Sequence, residues 1–117
     1  MIHRLDPAHL YLFTGPDVVG FVRGDVIVQM SPLTTSLLRR DLIVFARAYT
    51  RDRLWHANIT LAYAKDNIRI RDHTRKTELI LTRAELACVC ANLRSAIIRA
   101  DALSESRSSL VNPVELN

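Results

Sequence analysis

The chain is poor in the residues from which common catalytic and cofactor-binding motifs are built. It has three glycines among 117 residues, and their spacing fits neither a phosphate-binding loop nor a dinucleotide-binding fingerprint. Its longest uninterrupted apolar run, residues 86–91, is far shorter than the roughly 20 residues that cross a membrane. The N-terminus lacks an apolar signal region. We therefore expect a cytoplasmic protein that does not enter a membrane.

Cysteine and histidine are also scarce, with two and four copies. Cys88 and Cys90 lie two positions apart on a predicted helix, where side chains do not face each other, so we expect no disulfide between them. No pair of histidines or cysteines has the spacing of a zinc site. We predict a non-catalytic protein without metal or cofactor. An enzyme whose site is assembled only by folding is kept as an alternative.

Hydrophobic residues make up 49% of the chain, which is enough to fill the core of one domain. The composition changes after residue 103, where a run of serine and charged residues begins. Such a run is typical of a flexible segment. We predict a single domain over residues 1–103 and a flexible C-terminal tail over residues 104–117.

The first half of the chain predicts three strands and a helix. Residues 9–14, 18–22 and 26–30 are apolar runs separated by turn-forming residues, and residues 1–8 are interpreted as a lead-in. Ser31 and Pro32 are typical of a helix start, and the helix should run to about Tyr49. It is apolar over more than half of its circumference. We therefore expect it to be buried on two sides and to support a homodimer.

The second half predicts the same order. Alternation from Trp55 to Tyr63 predicts one strand, with both aromatic side chains facing the core and His56 facing outward. Two further strands follow within residues 68–71 and 77–81. Thr82 and Glu85 have the spacing of a capping box, which predicts a helix that carries one apolar stripe as far as Ala100.

These elements predict an α+β fold of order βββα-βββα. An antiparallel sheet of about five to six strands should carry two amphipathic helices packed on one face. Aligning Ser31 with Thr82 superposes the two helix starts and places Leu42 on Leu93, but few other residues match. The two halves therefore share the order of their predicted elements but little of their sequence.

Positive charge is concentrated in the middle of the chain. The net charge is +4, yet residues 39–83 contain eleven basic and five acidic residues. Most of the basic residues are arginines, whose planar guanidinium suits phosphates and carboxylates. Arg69 and Arg71 lie two apart on a strand and should point to the same outer face. The predicted partner-binding residues are Arg69, Arg71, Arg75, Lys76, Lys65, His56, Arg51 and Arg53.

The sequence favours a small binding protein whose arginine-rich surface engages nucleic acid or a nucleoprotein complex. An alternative is an inhibitor or interaction protein, of the kind that phages and mobile elements encode, which docks on an acidic surface of a host protein complex. A solvated face balanced by nearby acids would explain the arginines without any partner. Because Trp55 and Tyr63 are predicted to face inward, no base-stacking platform is expected on the outer face.

Overall fold

A computed structural model describes residues 2–5, 9–47 and 53–111 of the chain. These residues form two consecutive units, each with four strands followed by a helix. The first unit contains β1 (Ile2–Leu5), β2 (Leu10–Gly15), β3 (Val18–Arg23), β4 (Val26–Met30) and α1 (Pro32–Arg47). The second contains β5 (Arg53–His56), β6 (Ile59–Ala64), β7 (Asn67–Asp72), β8 (Thr77–Thr82) and α2 (Arg83–Val111).

The strands form two antiparallel sheets with the same strand order, and the central ladders of the two sheets have the same pairing register. The first sheet has the order β1-β2-β3-β4 and the second has the order β5-β6-β7-β8. Tyr11 lies opposite Val22 in the first sheet, as Thr60 lies opposite Arg71 in the second. Adding 49 to every residue number of the β2–β3 ladder gives a pair of the β6–β7 ladder. The two units are therefore structural repeats.

One hydrophobic core joins the two repeats. Alternate residues of the strands point inward, among them Leu12 and Phe21 of the first sheet and Leu61 and Ile70 of the second. α2 packs across β1, β2 and β3 and reaches β8, while α1 packs against α2 and contacts β3 and β5. Neither the inner faces of the sheets nor the apolar helix stripes are left in water, which is the main stabilising contribution to the fold.

Both helices begin at the caps that the sequence indicated. The Ser31 hydroxyl accepts the amide of Thr34 at 3.1 Å. In α2, Glu85 Oε1 accepts both the amide and the hydroxyl of Thr82 at 2.9 Å. These contacts satisfy backbone donors that have no partner within a helix. The predicted end of α1 near Tyr49 lies outside the described residues.

The α+β class and the antiparallel pairing are confirmed, but the prediction of five to six strands in one sheet is wrong. Eight strands form two sheets, and the order is ββββα-ββββα. β1 falls in the segment interpreted as a lead-in. The sequence predicts β5 and β6 as one strand, because Trp55–Tyr63 alternates as one strand would, whereas the chain turns back at Ala57 and Asn58. Ala57 adopts a positive φ of 54° there.

The edge strands β4 and β8 lie side by side and are joined mainly through side chains. Arg23, at the end of β3, donates to the carbonyl of Ile80 at 2.8 Å. Asp72, at the end of β7, accepts the amide of Gln29 through Oδ2 at 3.1 Å. Arg23 and Asp72 occupy equivalent positions in the two repeats, and so do Gln29 and Ile80. The junction is thus approximately two-fold symmetric, and it gives otherwise unpaired edge groups a partner.

α2 is longer than the stripe in its sequence suggests, and it runs to Val111. The predicted tail from residue 104 overlaps its last turns, and residues 112–117 lie outside the described part of the chain. Within the described residues, neither helix combines the length and hydrophobicity that crossing a lipid bilayer requires.

Candidate functional site

The outer face of the second sheet carries most of the predicted partner-binding arginines. Two rows of side chains cross it from β5 to β8, as the pairing register requires. We call this surface the basic face. Its first row is Arg53, Ala62, Arg69 and Ile80, and its second row is Trp55, Thr60, Arg71 and Glu78.

The arginines of the basic face are exposed and only partly balanced by acids. Arg69 is 59% exposed and lies 3.7 Å from Glu78, measured from Nε to Oε1. Arg53 and Arg71 are also exposed, and neither forms a salt bridge with another described residue. Glu78 is the one carboxylate in the two rows. The surface therefore carries a net positive charge.

Asp72 does not neutralise the basic face, although its neighbour Arg71 belongs to it. The Asp72 side chain is fully buried on the opposite side of β7. Its Oδ1 accepts Asn58 Nδ2 at 2.9 Å and the amides of Thr74 and Arg75 at 3.0 and 3.2 Å. This carboxylate holds the β7–β8 turn and the junction between the sheets. Asp72 Oδ2 also lies 3.9 Å from Arg75 Nε, so Asp72 balances Arg75 in the turn but not the arginines of the basic face.

Trp55 lies on the basic face, and the prediction that it faces the core is wrong. Its side chain is 60% exposed. The indole stacks on the ring of His73, with centroids 4.5 Å apart and planes inclined by 20°. The ring of His73 is held in turn by a hydrogen bond between its Nε2 and the Thr60 hydroxyl, and its amide donates to the Asn58 carbonyl at 2.8 Å.

These side chains border a shallow cavity of about 290 Å³ in the middle of the basic face. Its lining combines guanidinium groups, one aromatic platform and one carboxylate, and it lacks a deep apolar interior. Such a lining suits an extended anionic partner with planar groups better than a small enclosed substrate. The residues that line it are Arg53, Trp55, Thr60, Ala62, Arg69, Arg71, His73 and Glu78.

The other predicted partner-binding residues are distributed around the sheet. Arg75 and Lys76 lie in the β7–β8 turn, beside the row that contains Trp55, and Arg75 Nη2 donates to Gln29 Oε1 at 2.8 Å. Lys65 is exposed in the β6–β7 turn, at the opposite end of the sheet. Arg51 lies outside the described residues.

The prediction that His56 faces outward is wrong. His56 Nε2 is hydrogen-bonded to the Asp41 carboxylate on α1, and both side chains are largely buried. The turn at residues 57–58 explains this error and the error at Trp55 together. Trp55 pairs with Thr60 across the hairpin and so shares its outer face, while His56 pairs with Ile59 and shares its inner face. Asn58, a residue that favours turns, lies inside the alternating run and is the sequence signal that indicates this turn.

The described residues also bear on metal binding and on thiol reactivity. They contain no group of three His, Cys, Asp or Glu side chains that could hold a metal ion. Neither Cys88 nor Cys90 forms a disulfide. Burial raises the pKa of the Cys90 thiol, and the nearby Arg39 opposes this only in part, so the reactive thiolate is disfavoured.

The outer face of the first sheet differs in chemistry from the basic face. Its exposed and half-buried side chains are mostly apolar, and four of them border a second shallow cavity of about 290 Å³. We call this surface the apolar face; its apolar side chains are Ile2, Tyr11, Phe13, Val22 and Ile27, and the exposed Arg4 lies opposite Tyr11 at its edge.

In comparisons with known proteins, no protein-family model, no curated protein and no solved structure matches the chain.

Proposed function

We propose that this chain is a small non-catalytic binding protein whose basic face engages the phosphate backbone of a nucleic acid. The observation that carries the proposal is the grouping of Arg53, Arg69 and Arg71 on one open sheet face with a single carboxylate among them. Guanidinium groups bind phosphate oxygens through paired N–H donors, and their contacts release counterions from the nucleic acid.

The interactions of these arginines indicate that they contribute little to the stability of the fold. Arg53 and Arg71 form no salt bridge with a described residue, and the Arg69–Glu78 pair is exposed. An exposed pair of this kind contributes less than about 1 kcal/mol to stability. Their grouping is therefore not required for folding, and it leaves guanidinium donors available to a ligand.

The proposal is tested by binding of labelled single- and double-stranded DNA and RNA at two salt concentrations. We expect binding that weakens steeply with salt, and an Arg69→Ala/Arg71→Ala variant that binds more weakly. Two fewer phosphate contacts should reduce the slope of log K against log salt concentration by about 1 to 2.

A matched control removes the same charge elsewhere. Arg94 and Arg99 lie on α2, off the basic face and off α1, and they are exposed and half-buried, respectively. The Arg94→Ala/Arg99→Ala variant should keep the salt slope and most of the affinity. The proposal fails if no nucleic acid binds at low salt, or if the control variant loses as much affinity as the Arg69/Arg71 variant.

We also propose that two copies associate through α1. The helix buries Leu38, Leu42 and Phe45, while Leu33 and Val44 are 73% and 53% exposed on its outer side. Sedimentation equilibrium should give the mass of a dimer, and Val44→Lys should shift the distribution toward monomer. A wild-type monomer at high protein concentration would contradict this proposal.

A further inference from the structure

We infer that the basic face binds unpaired rather than paired nucleotides, with one base stacked on the indole of Trp55. The inference rests on the function proposed above and specifies the class of nucleic acid. It is carried by the position of Trp55, which lies next to Arg53 on β5 and in one row with Arg71, and by the way its ring is held.

The indole is available to a ligand although part of it is covered. One side of the ring stacks on His73, yet 60% of the side chain is exposed. A large aromatic side chain usually buries most of its surface, because its transfer out of water is favourable. Trp55 is therefore an exposed apolar surface within a charged face.

The platform is held before any ligand binds. Trp55 stacks on His73, whose ring is hydrogen-bonded to Thr60 and whose amide is bonded to the Asn58 carbonyl. Trp55 and Thr60 are opposite each other on adjacent strands, so the sheet fixes their separation. Little side-chain entropy remains to be lost when a base stacks on this ring, and that favours binding.

The arrangement of charges suits a strand whose base lies flat on the indole. Arg71 follows Thr60 in the same row as Trp55, and Arg53 lies two residues from Trp55 on the same face of β5. Side chains two residues apart on a strand are separated by about 7 Å. Arg71 is two strands across from Trp55, at about 10 Å. Two phosphates of a strand that passes the stacked base would therefore each come within reach of a guanidinium group.

A duplex cannot use the indole in this way. Its bases stack on each other, and it presents only phosphates and the edges of the bases. The basic face is a sheet surface with a shallow cavity, and among the described residues no helix or ribbon projects from it to enter a groove. Stacking on a protein ring requires a base that is free of its neighbours, as in a single strand.

The chain offers a direct reporter, because Trp55 is its one tryptophan. Indole emission therefore reports on this site alone. We expect an oligothymidylate single strand to quench the emission on titration, since the base would lie against the ring. A blunt duplex of equal length should bind more weakly and leave the emission nearly unchanged.

Substitutions separate stacking from charge. Trp55→Ala should lose about tenfold to a hundredfold in affinity for the single strand, whereas Trp55→Phe should retain most of it. Tyr11→Ala is the matched control, because it removes an exposed aromatic side chain from the apolar face. It should leave the affinity unchanged. Circular dichroism of each variant verifies that the fold is retained.

The possible results distinguish this inference from the proposed function. Equal affinity for single strand and duplex, with no quenching and no effect of Trp55→Ala, overturns the inference but leaves a phosphate-binding face. Failure of both nucleic acids to bind at low salt overturns both. Binding of polyglutamate as tight as that of the oligonucleotide also overturns both, and it identifies an acidic protein surface as the partner class.

Discussion

The outer faces of the two sheets differ in chemistry although the sheets have the same strand order and the same register in their central ladders. Inward-facing positions are apolar and buried in both repeats. Val19 corresponds to Ile68, and Val28 corresponds to Leu79. Outward-facing positions diverge. Val22 of the first sheet corresponds to Arg71 of the second, in the same register.

The contrast has a simple physical origin. Inner residues of both sheets share one core with the helices, so each must be apolar and of suitable volume. Outer residues contact little else in the chain, and many polar or apolar side chains are compatible with the fold there. The character of an outer face is therefore a better indicator of what the protein contacts than the character of an inner face.

The largest expected effect concerns the junction that holds the two sheets together. Asp72→Asn replaces one carboxylate oxygen by an N–H donor that faces donors of the protein, because Asp72 accepts from Gln29, Asn58, Thr74 and Arg75. We expect the free energy of unfolding to fall by about 2–4 kcal/mol, measured by urea denaturation.

The exposed Asp66, in the β6–β7 turn of the same sheet, provides the control for that measurement. Asp66→Asn should change stability by less than about 0.5 kcal/mol. If Asp72→Asn costs no more than the control, the carboxylate does not hold the junction, and the two sheets are joined chiefly by the helices.

A second substitution tests how the apolar face is packed. Gly20 lies opposite Phe13, and a Cβ on Gly20 would come within 2.1 Å of the Phe13 ring. We expect Gly20→Val to displace that ring and to destabilise the protein by about 1–2 kcal/mol in thermal or urea unfolding.

The basic face suggests how this loss could be reversed. The corresponding pair there is Ala62 opposite Arg69, a small residue opposite a large one in the reverse order. A Phe13→Ala/Gly20→Val double variant imitates that order and should recover part of the lost stability. Additive losses in the double variant would show that the two side chains do not compete for the same space.

A smaller effect should depend on pH. Burial alone would raise the pKa of Glu85, but hydrogen bonds from Thr82 and the charge of Arg23, 2.6 Å away, outweigh it and lower that pKa. A lowered folded-state pKa gives stability that is present above the unfolded-state pKa and is lost as the pH falls through the folded-state value. Glu85→Gln should cost about 1 kcal/mol near neutral pH, and the difference should shrink below about pH 5.

An exposed glutamate serves as the reference for this pH profile. Glu78→Gln removes a carboxylate that pairs with Arg69 at the surface, so it should leave stability within about 0.5 kcal/mol at every pH. A difference between wild type and Glu85→Gln that stays constant from neutral to acidic pH would contradict the assigned ion pair.

Glu78→Gln should also produce the smallest effect on binding. It removes the one carboxylate from the two rows of the basic face and frees Arg69. We expect a severalfold increase in affinity for an oligonucleotide at low salt, which disappears as salt is raised. Loss of affinity in this variant would indicate that Glu78 positions Arg69 for its partner.

Part of the candidate site could be predicted from the sequence. Arg69 and Arg71 are two apart in an alternating segment, and their outward direction follows from strand geometry alone. Trp55 could not be placed in the same way. The turn at residues 57–58 reverses which residues of β5 face the core and which face outward. The alternation from Trp55 to Tyr63 nevertheless resembles that of an uninterrupted strand.

The sequence by itself determined the local features whose causes lie within a few residues. These are the α+β class, the helix caps at Ser31 and Thr82, and the inward direction of Ile68, Ile70, Leu79 and Leu81. Tertiary structure alone decided that the strands divide into two sheets, that Asp72 is buried at their junction, and that Trp55 lies among the arginines. Those outcomes depend on contacts between residues far apart in the chain, and the alternation of a single strand carries no information about them.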